Sequence, residues 1–208
     1  LMDVLGDAVK EEELIEGMEV EEAAASEDGP EYDEHVWLSL KNAQVLCSAI
    51  AGALSDLDPE HEDTYTANAT AYNHKLAALD AEYAAAVQSG SRDTLLFGDR
   101  FPFRYLVDDY GLSYYAAFVG CSAETEASFE TIIFLANKVD QLGLNAVLTI
   151  ESGDGKIART IIENTAAKSA QVLQMDSMQS TTAQDVADGA TYLGAMEKNL
   201  DVLKEALK

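Results

Sequence analysis

The chain has 208 residues, 48% of them hydrophobic, which is enough for a sizeable core in one generous domain or two small ones. Thirty-eight Asp and Glu against 13 Lys and Arg leave a formal net charge of −25, which argues against nucleic-acid and anionic-lipid partners, since both need concentrated basic residues. No apolar run approaches the roughly 18 residues of a membrane span, and the opening Leu1-Met2-Asp3-Val4 lacks the basic and apolar regions of a signal peptide. Two cysteines, Cys47 and Cys121, make no disulfide framework; they read as two buried thiols or one bridge.

Residues 1–35 stand apart. From Glu11 to His35 there are twelve acidic residues and no Lys or Arg, so self-repulsion predicts a mobile, solvated segment. Residues 36–90 read as helical. Leu38, Leu40, Val45, Leu46, Ala49, Ile50, Ala53 and Leu54 recur at helical spacing up to Asp58-Pro59. A second, long helix is expected over 60–87, with Tyr65, Ala69, Tyr72, Leu76, Leu79 and Tyr83 on one face and Gly90-Ser91 as its stop.

From 91 to 208 the pattern alternates. Short apolar runs at 94–97, 113–119, 146–150 and 170–173 predict strands. Between and after them, helices are expected over 103–110, 127–142, 156–164 and, as one long C-terminal element, 183–207. Four short strands separated by helices imply βαβ units, hence an α/β fold with a four-stranded parallel sheet covered on both faces. Ligands in such sheets bind beyond the carboxyl ends of the strands. Those ends carry Asp99-Arg100, Gly120-Cys121, Glu151-Ser152 and Met175-Asp176, which crowds carboxylates and an arginine on one rim.

Of three histidines, His61 and His74 are thirteen apart in the long helix and read as surface residues. His35 ends the acidic stretch just before Val36-Trp37-Leu38. A neutral imidazole beside rim carboxylates would suit Zn²⁺ or Mn²⁺, and by itself it reads equally well as structural. Gly153-Asp154-Gly155-Lys156 lacks the rest of a phosphate loop, no nucleophile elbow, Cys-x-x-Cys or His-Glu-x-x-His occurs, and neither cysteine has an adjacent base.

Four strings carry a family likeness. They are Tyr32-Asp33-Glu34-His35-Val36-Trp37-Leu38-Ser39; Phe103-Arg104-Tyr105-Leu106 with Tyr110-Gly111-Leu112; Thr149-Ile150-Glu151-Ser152; and Met175-Asp176-Ser177 before a long C-terminal helix. In this order they resemble the metal-binding, cluster A-I solute-binding lipoproteins of bacterial zinc and manganese ABC importers, over residues 31 to 208. The resemblance implies a bilobal fold joined by a long helix, of which this chain is the C-terminal lobe. It further implies an extracytoplasmic location, periplasmic or lipid-anchored, an importer permease as partner, and a divalent metal ion, Zn²⁺ or Mn²⁺, as cargo. The acidic stretch stands where many zinc-specific members carry a metal-collecting loop.

Carried over by motif, the ligands are His35, Asp99 and Asp176, with Arg100 and Glu151 as supporting or clamping residues. There are three departures. No counterpart of the first lobe and its His ligand is present, so the chain reads as a C-terminal part. Glu34 replaces a proline. Arg100, always protonated, occupies the position of the third ligand, which Asp99 is then expected to supply from one residue earlier. Two other readings stand beside this one: a Mg²⁺-dependent phosphoryl-handling hydrolase with Asp99 as nucleophile, and a docking lobe that binds no metal. A face left uncovered by a missing lobe would also let two copies pair.

Overall fold

The structure is a computed structural model that describes residues 2–18, 32–120 and 126–208. In chain order its elements are α1 (Met2–Leu5), α2 (Leu40–Leu57), α3 (Glu62–Ser89), β1 (Thr94–Phe101), α4 (Arg104–Tyr110), β2 (Ser113–Val119), α5 (Phe129–Leu142), β3 (Ala146–Ile150), α6 (Lys156–Glu163), β4 (Gln171–Met175), α7 (Ala183–Ala187) and α8 (Tyr192–Ala206). The four strands form one all-parallel sheet in the order β2-β1-β3-β4, the α/β architecture expected from the alternating pattern.

Side-chain alternation along the strands splits the core in two. Leu95, Phe97, Leu148 and Ile150 face one side, where Leu76 and Tyr83 of α3, Leu106 of α4 and Met196 and Leu203 of α8 cover them. Leu96, Ala117 and Val147 face the other, under Ile132, Leu135 and Val139 of α5 and Ala158 and Ile161 of α6. Three tyrosine hydroxyls tie the first layer together. Tyr83 donates to the Met196 carbonyl (2.7 Å), Tyr110 to Asp80 (2.8 Å) and Tyr192 to the Trp37 carbonyl (2.7 Å).

Two expected elements differ. The first strand does not stop at Phe97 but runs on to Phe101, with a register shift between Phe97 and Arg100. Asp99 and Arg100 therefore lie inside β1, not beyond its end. The C-terminal helix is two helices: α7 ends at Ala187, Gly189 takes φ +98°, and Thr191 begins α8 by capping the Gly194 N–H (3.1 Å). Residues 19–31, the middle of the acidic stretch, lie outside the described residues, as does Cys121. On either side of that stretch the chain is packed. Leu5 and Met18 are buried, Glu11 bridges to Tyr32, and the Asp33 N–H donates to the Lys10 carbonyl at 2.9 Å. Cys47 is a half-buried free thiol, and burial raises its pKa.

Candidate metal centre

The segment before α2 is fixed from both ends. Asp33 is held through its backbone by Lys10 and by the Tyr105 hydroxyl, which donates to the Asp33 carbonyl at 2.7 Å. A single 3-10 turn over Val36–Leu38 follows, and Ser39 caps α2 by accepting from the Asn42 N–H at 3.0 Å. Between these anchors His35 is 1% exposed. Gly120, just past β2, makes room for its ring: a Cβ there would lie 3.0 Å from His35 Cε1 and from the Phe101 carbonyl.

Both ring nitrogens of His35 are engaged. Nδ1 lies 2.8 Å from Asp33 Oδ1, which also accepts the His35 backbone N–H at 2.8 Å. A carboxylate only accepts, so Nδ1 carries the proton, and in the neutral ring Nε2 presents its lone pair. Nε2 faces the side-chain nitrogen of Gln179 at 2.9 Å. Trp37 stacks obliquely on His35 at 5.4 Å and donates its indole N–H to the Ser177 carbonyl at 3.0 Å. The loop after β4 thus closes over the imidazole.

That loop is organised by two carboxylates. Glu151, at the end of β3, accepts from the Ser177 N–H (2.7 Å), the Ser177 hydroxyl (2.8 Å), the Gln179 N–H (3.1 Å) and the Ser180 N–H (3.2 Å). Asp176 closes a tight turn by accepting the Met178 N–H on Oδ1 at 2.8 Å, and Met178 sits in the left-handed region at φ +62°. From α8, buried Asn199 grips both backbone groups of Asp176, accepting its N–H and donating to its carbonyl, each at 2.7 Å. Turn, strand end and helix are in this way locked to one another.

Asp99 is employed elsewhere. Its Oδ2 accepts from the Thr149 hydroxyl and from the Ile150 N–H (3.3 Å), and its Oδ1 accepts the Arg100 N–H (2.9 Å). Gly153 is in contact range of the same carboxylate, so any Cβ at that position would strike it. Arg100 Nε lies 4.0 Å from Asp99 Oδ1, and its Nη2 donates to the Ser152 hydroxyl at 3.3 Å. Among the described residues no three of His, Cys, Asp and Glu converge as a metal-holding group. The structure therefore brings His35 together with the Asp176 loop and Glu151, and sets Asp99 and Arg100 against β3 and the turn that follows it. His61, in the 3-10 turn just before α3, and His74 on α3 are both exposed, as expected.

Comparison with known proteins bears on this arrangement. The family profile described as zinc-uptake complex component A, periplasmic (ZnuA), matches residues 2–206. The chain belongs to the ZnuA family. The zinc-binding lipoprotein AdcA of Streptococcus pneumoniae is 32% identical over 175 residues, 84% of this chain and 34% of that protein. Two solved zinc-bound structures from the same organism share the fold. A variant of AdcAII has a TM-score of 0.75 at 25% identity, over all of this chain and 70% of that one. The ZnuA-like domain of AdcA has a TM-score of 0.67 at 29% identity, over 85% of this chain and 64% of that one. The chain spans about a third of the length of the curated relatives it matches.

Three residues that build this arrangement escaped sequence reasoning. Asp33 stood in the quoted motif without a role, although a carboxylate two residues before a histidine is placed to take its Nδ1–H. Asn199 had a signal: it is a lone polar side chain on the buried face of α8, beside Met196, Leu200 and Leu203. Gln179 had none, since its role exists only once the loop folds back on His35.

Proposed function

We propose that this chain forms part of an extracytoplasmic receptor, periplasmic or lipid-anchored, that binds a divalent metal ion and delivers it to an ABC importer permease. The observation that carries the reading is the state of His35: buried, its Nδ1 proton committed to Asp33 and its Nε2 lone pair turned toward the Asp176 loop. This is the carboxylate–histidine pairing by which proteins prepare an imidazole for a metal. Among the described residues no helix is long and apolar enough to cross a membrane.

In this reading His35 Nε2 and Asp176, whose Oδ2 is not spent on the turn, are the ligands that this chain supplies. Glu151 shapes the loop that carries Asp176. The geometry favours a bracing part for Asp99, joining β1 to β3, over the ligand role expected from sequence, because both its oxygens already accept hydrogen bonds. That engagement also leaves it poorly placed as a phosphoryl nucleophile. Arg100 belongs to the same brace. Zinc is the first choice of ion: AdcA is described as zinc-binding, and an imidazole–carboxylate pair binds Zn²⁺ more tightly than Mn²⁺ on the ordinary affinity series. The exposed apolar stripe of Ile50, Leu54 and Leu57 on α2 supports weak pairing with a second copy.

Calorimetric titration of Zn²⁺ and Mn²⁺ into chelator-stripped protein tests this. Saturable one-to-one zinc binding is expected, with manganese weaker. His35→Ala and Asp176→Ala should each reduce zinc affinity by about 100-fold or more, while circular dichroism stays unchanged. Unaltered affinity in either variant removes that residue from the ligand set.

A further inference from the structure

His35 is almost wholly buried, yet the side chain that meets its Nε2 belongs to an exposed residue. Gln179 places its amide nitrogen 2.9 Å from His35 Nε2, on the side a metal ion must approach. Since Asp33 fixes the imidazole proton on Nδ1, the contact is an N–H donated by Gln179 into the Nε2 lone pair. That lone pair cannot serve the amide and a cation together.

The backbone and side chain of Gln179 are differently restrained. Its N–H is anchored to Glu151 Oε1 at 3.1 Å, and its neighbours Ser177 and Ser180 are anchored to the same carboxylate. The side chain reaches His35 across a sequence separation of 144 residues by rotatable single bonds from an exposed position. A rotation about these bonds uncovers Nε2 without disturbing the Glu151 network.

We infer that Gln179 is the gate of the His35 ligand position: it satisfies the lone pair while no ion is present and must be displaced before Nε2 can coordinate. The inference rests on the receptor reading proposed above. It assigns Gln179 a positioning role and makes it a determinant of how tightly and how fast the ion is captured. The amide contact is neutral and is lost on loading, so it subtracts from the observed affinity by about the net value of one buried hydrogen bond.

The test compares the protein with its Gln179→Ala variant by two measurements. In metal-free protein, the side-chain ¹⁵N resonances of His35 are recorded by long-range proton–nitrogen correlation. Loss of the donated hydrogen bond should shift Nε2 while leaving Nδ1 protonated. Zinc is then titrated calorimetrically and mixed by stopped flow. The variant should bind zinc about 2- to 10-fold tighter, with the gain in the association rate. An unmoved Nε2 resonance, or unchanged zinc affinity and rate, overturns the gate. Weaker zinc binding in the variant also overturns it and makes Gln179 a ligand through its amide oxygen. If Nε2 moves but neither protein takes up zinc, the receptor reading fails and Gln179 is no gate, only a cap on a structural histidine.

Discussion

At the scale of single residues, the candidate site is a case of one buried imidazole whose two nitrogens are given different tasks. Asp33 does this with one oxygen, which accepts both the ring Nδ1–H and the backbone N–H of His35 and so sets tautomer and ring orientation at once. Asp33→Ala would leave both donors without that acceptor in a site with almost no solvent, at a cost of about 1–3 kcal/mol to stability. It would also free the ring to rotate and to exchange tautomers. Zinc affinity is expected to fall by about 10- to 100-fold, the usual effect of removing the partner behind a metal-binding histidine. Chemical denaturation and zinc calorimetry on the same variant check the two effects separately. A variant of reduced stability with undiminished zinc affinity would mean that the ring needs no support from Asp33.

At the scale of elements, much of the fold was legible because burial writes itself into apolar periodicity. The limits of β2 and β3 coincide with those expected, and α5 differs by two residues at its start, where Ser128 caps it. The exceptions have physical causes. β1 continues through Gly98-Asp99-Arg100, residues expected just beyond the strand's end, because Asp99 is satisfied by Thr149 and Ile150 on the neighbouring strand. The break between α7 and α8 depends on a left-handed glycine and a threonine cap inside a stretch whose periodicity alone suggested one helix. The motif residues His35, Glu151 and Asp176 were visible in the sequence. Of their partners, Asp33 and Asn199 left local signals, a carboxylate two residues before the histidine and a lone polar side chain on a buried helix face, whereas Gln179 left none, since a hydrogen bond between distant segments leaves no local pattern.

The helical layer also carries a pH prediction. Tyr83, Tyr110 and Tyr192 all have raised pKa values, chiefly through burial, and for Tyr110 also through its hydrogen bond to Asp80 and the nearby Asp charges. In the unfolded chain these phenols ionise near pH 10, whereas in the folded protein they stay neutral to higher pH. Their contribution is therefore fully present below about pH 10 and is lost as the pH rises beyond it. Thermal melts from pH 8 to 11 should show a midpoint that falls above pH 10. In Tyr110→Phe the fall should be shallower, at the expense of one hydrogen bond at neutral pH. Equal slopes for the two proteins would place the alkaline sensitivity elsewhere.

At the scale of the whole molecule, the exposed face of α2 is the surface least explained by the described packing. Ile50, Leu54 and Leu57 are 59%, 40% and 83% exposed and follow one another at helical spacing. Three side chains bury too little area for a tight complex, so pairing of copies is expected only at high concentration. Light scattering across a concentration series should show mass rising toward a dimer, and Leu57→Glu should hold the protein monomeric. A constant monomer mass at every concentration would end this expectation.

The order of events during synthesis follows from how the pocket is closed. His35 and Trp37 emerge well before the groups that enclose them: the Ser177 carbonyl is 140 residues further along the chain than Trp37, and the Tyr192 hydroxyl is 155 further along. At about 5–20 residues per second, a ribosome takes roughly 7–30 seconds to supply that distance. Until then His35 is exposed beside an unfinished sheet of all-parallel, non-local pairings, a topology that folds slowly. The pocket is thus complete only once the segments around Ser177 and Tyr192 have been made, and a chain halted before β4 has His35 without the pocket that encloses it.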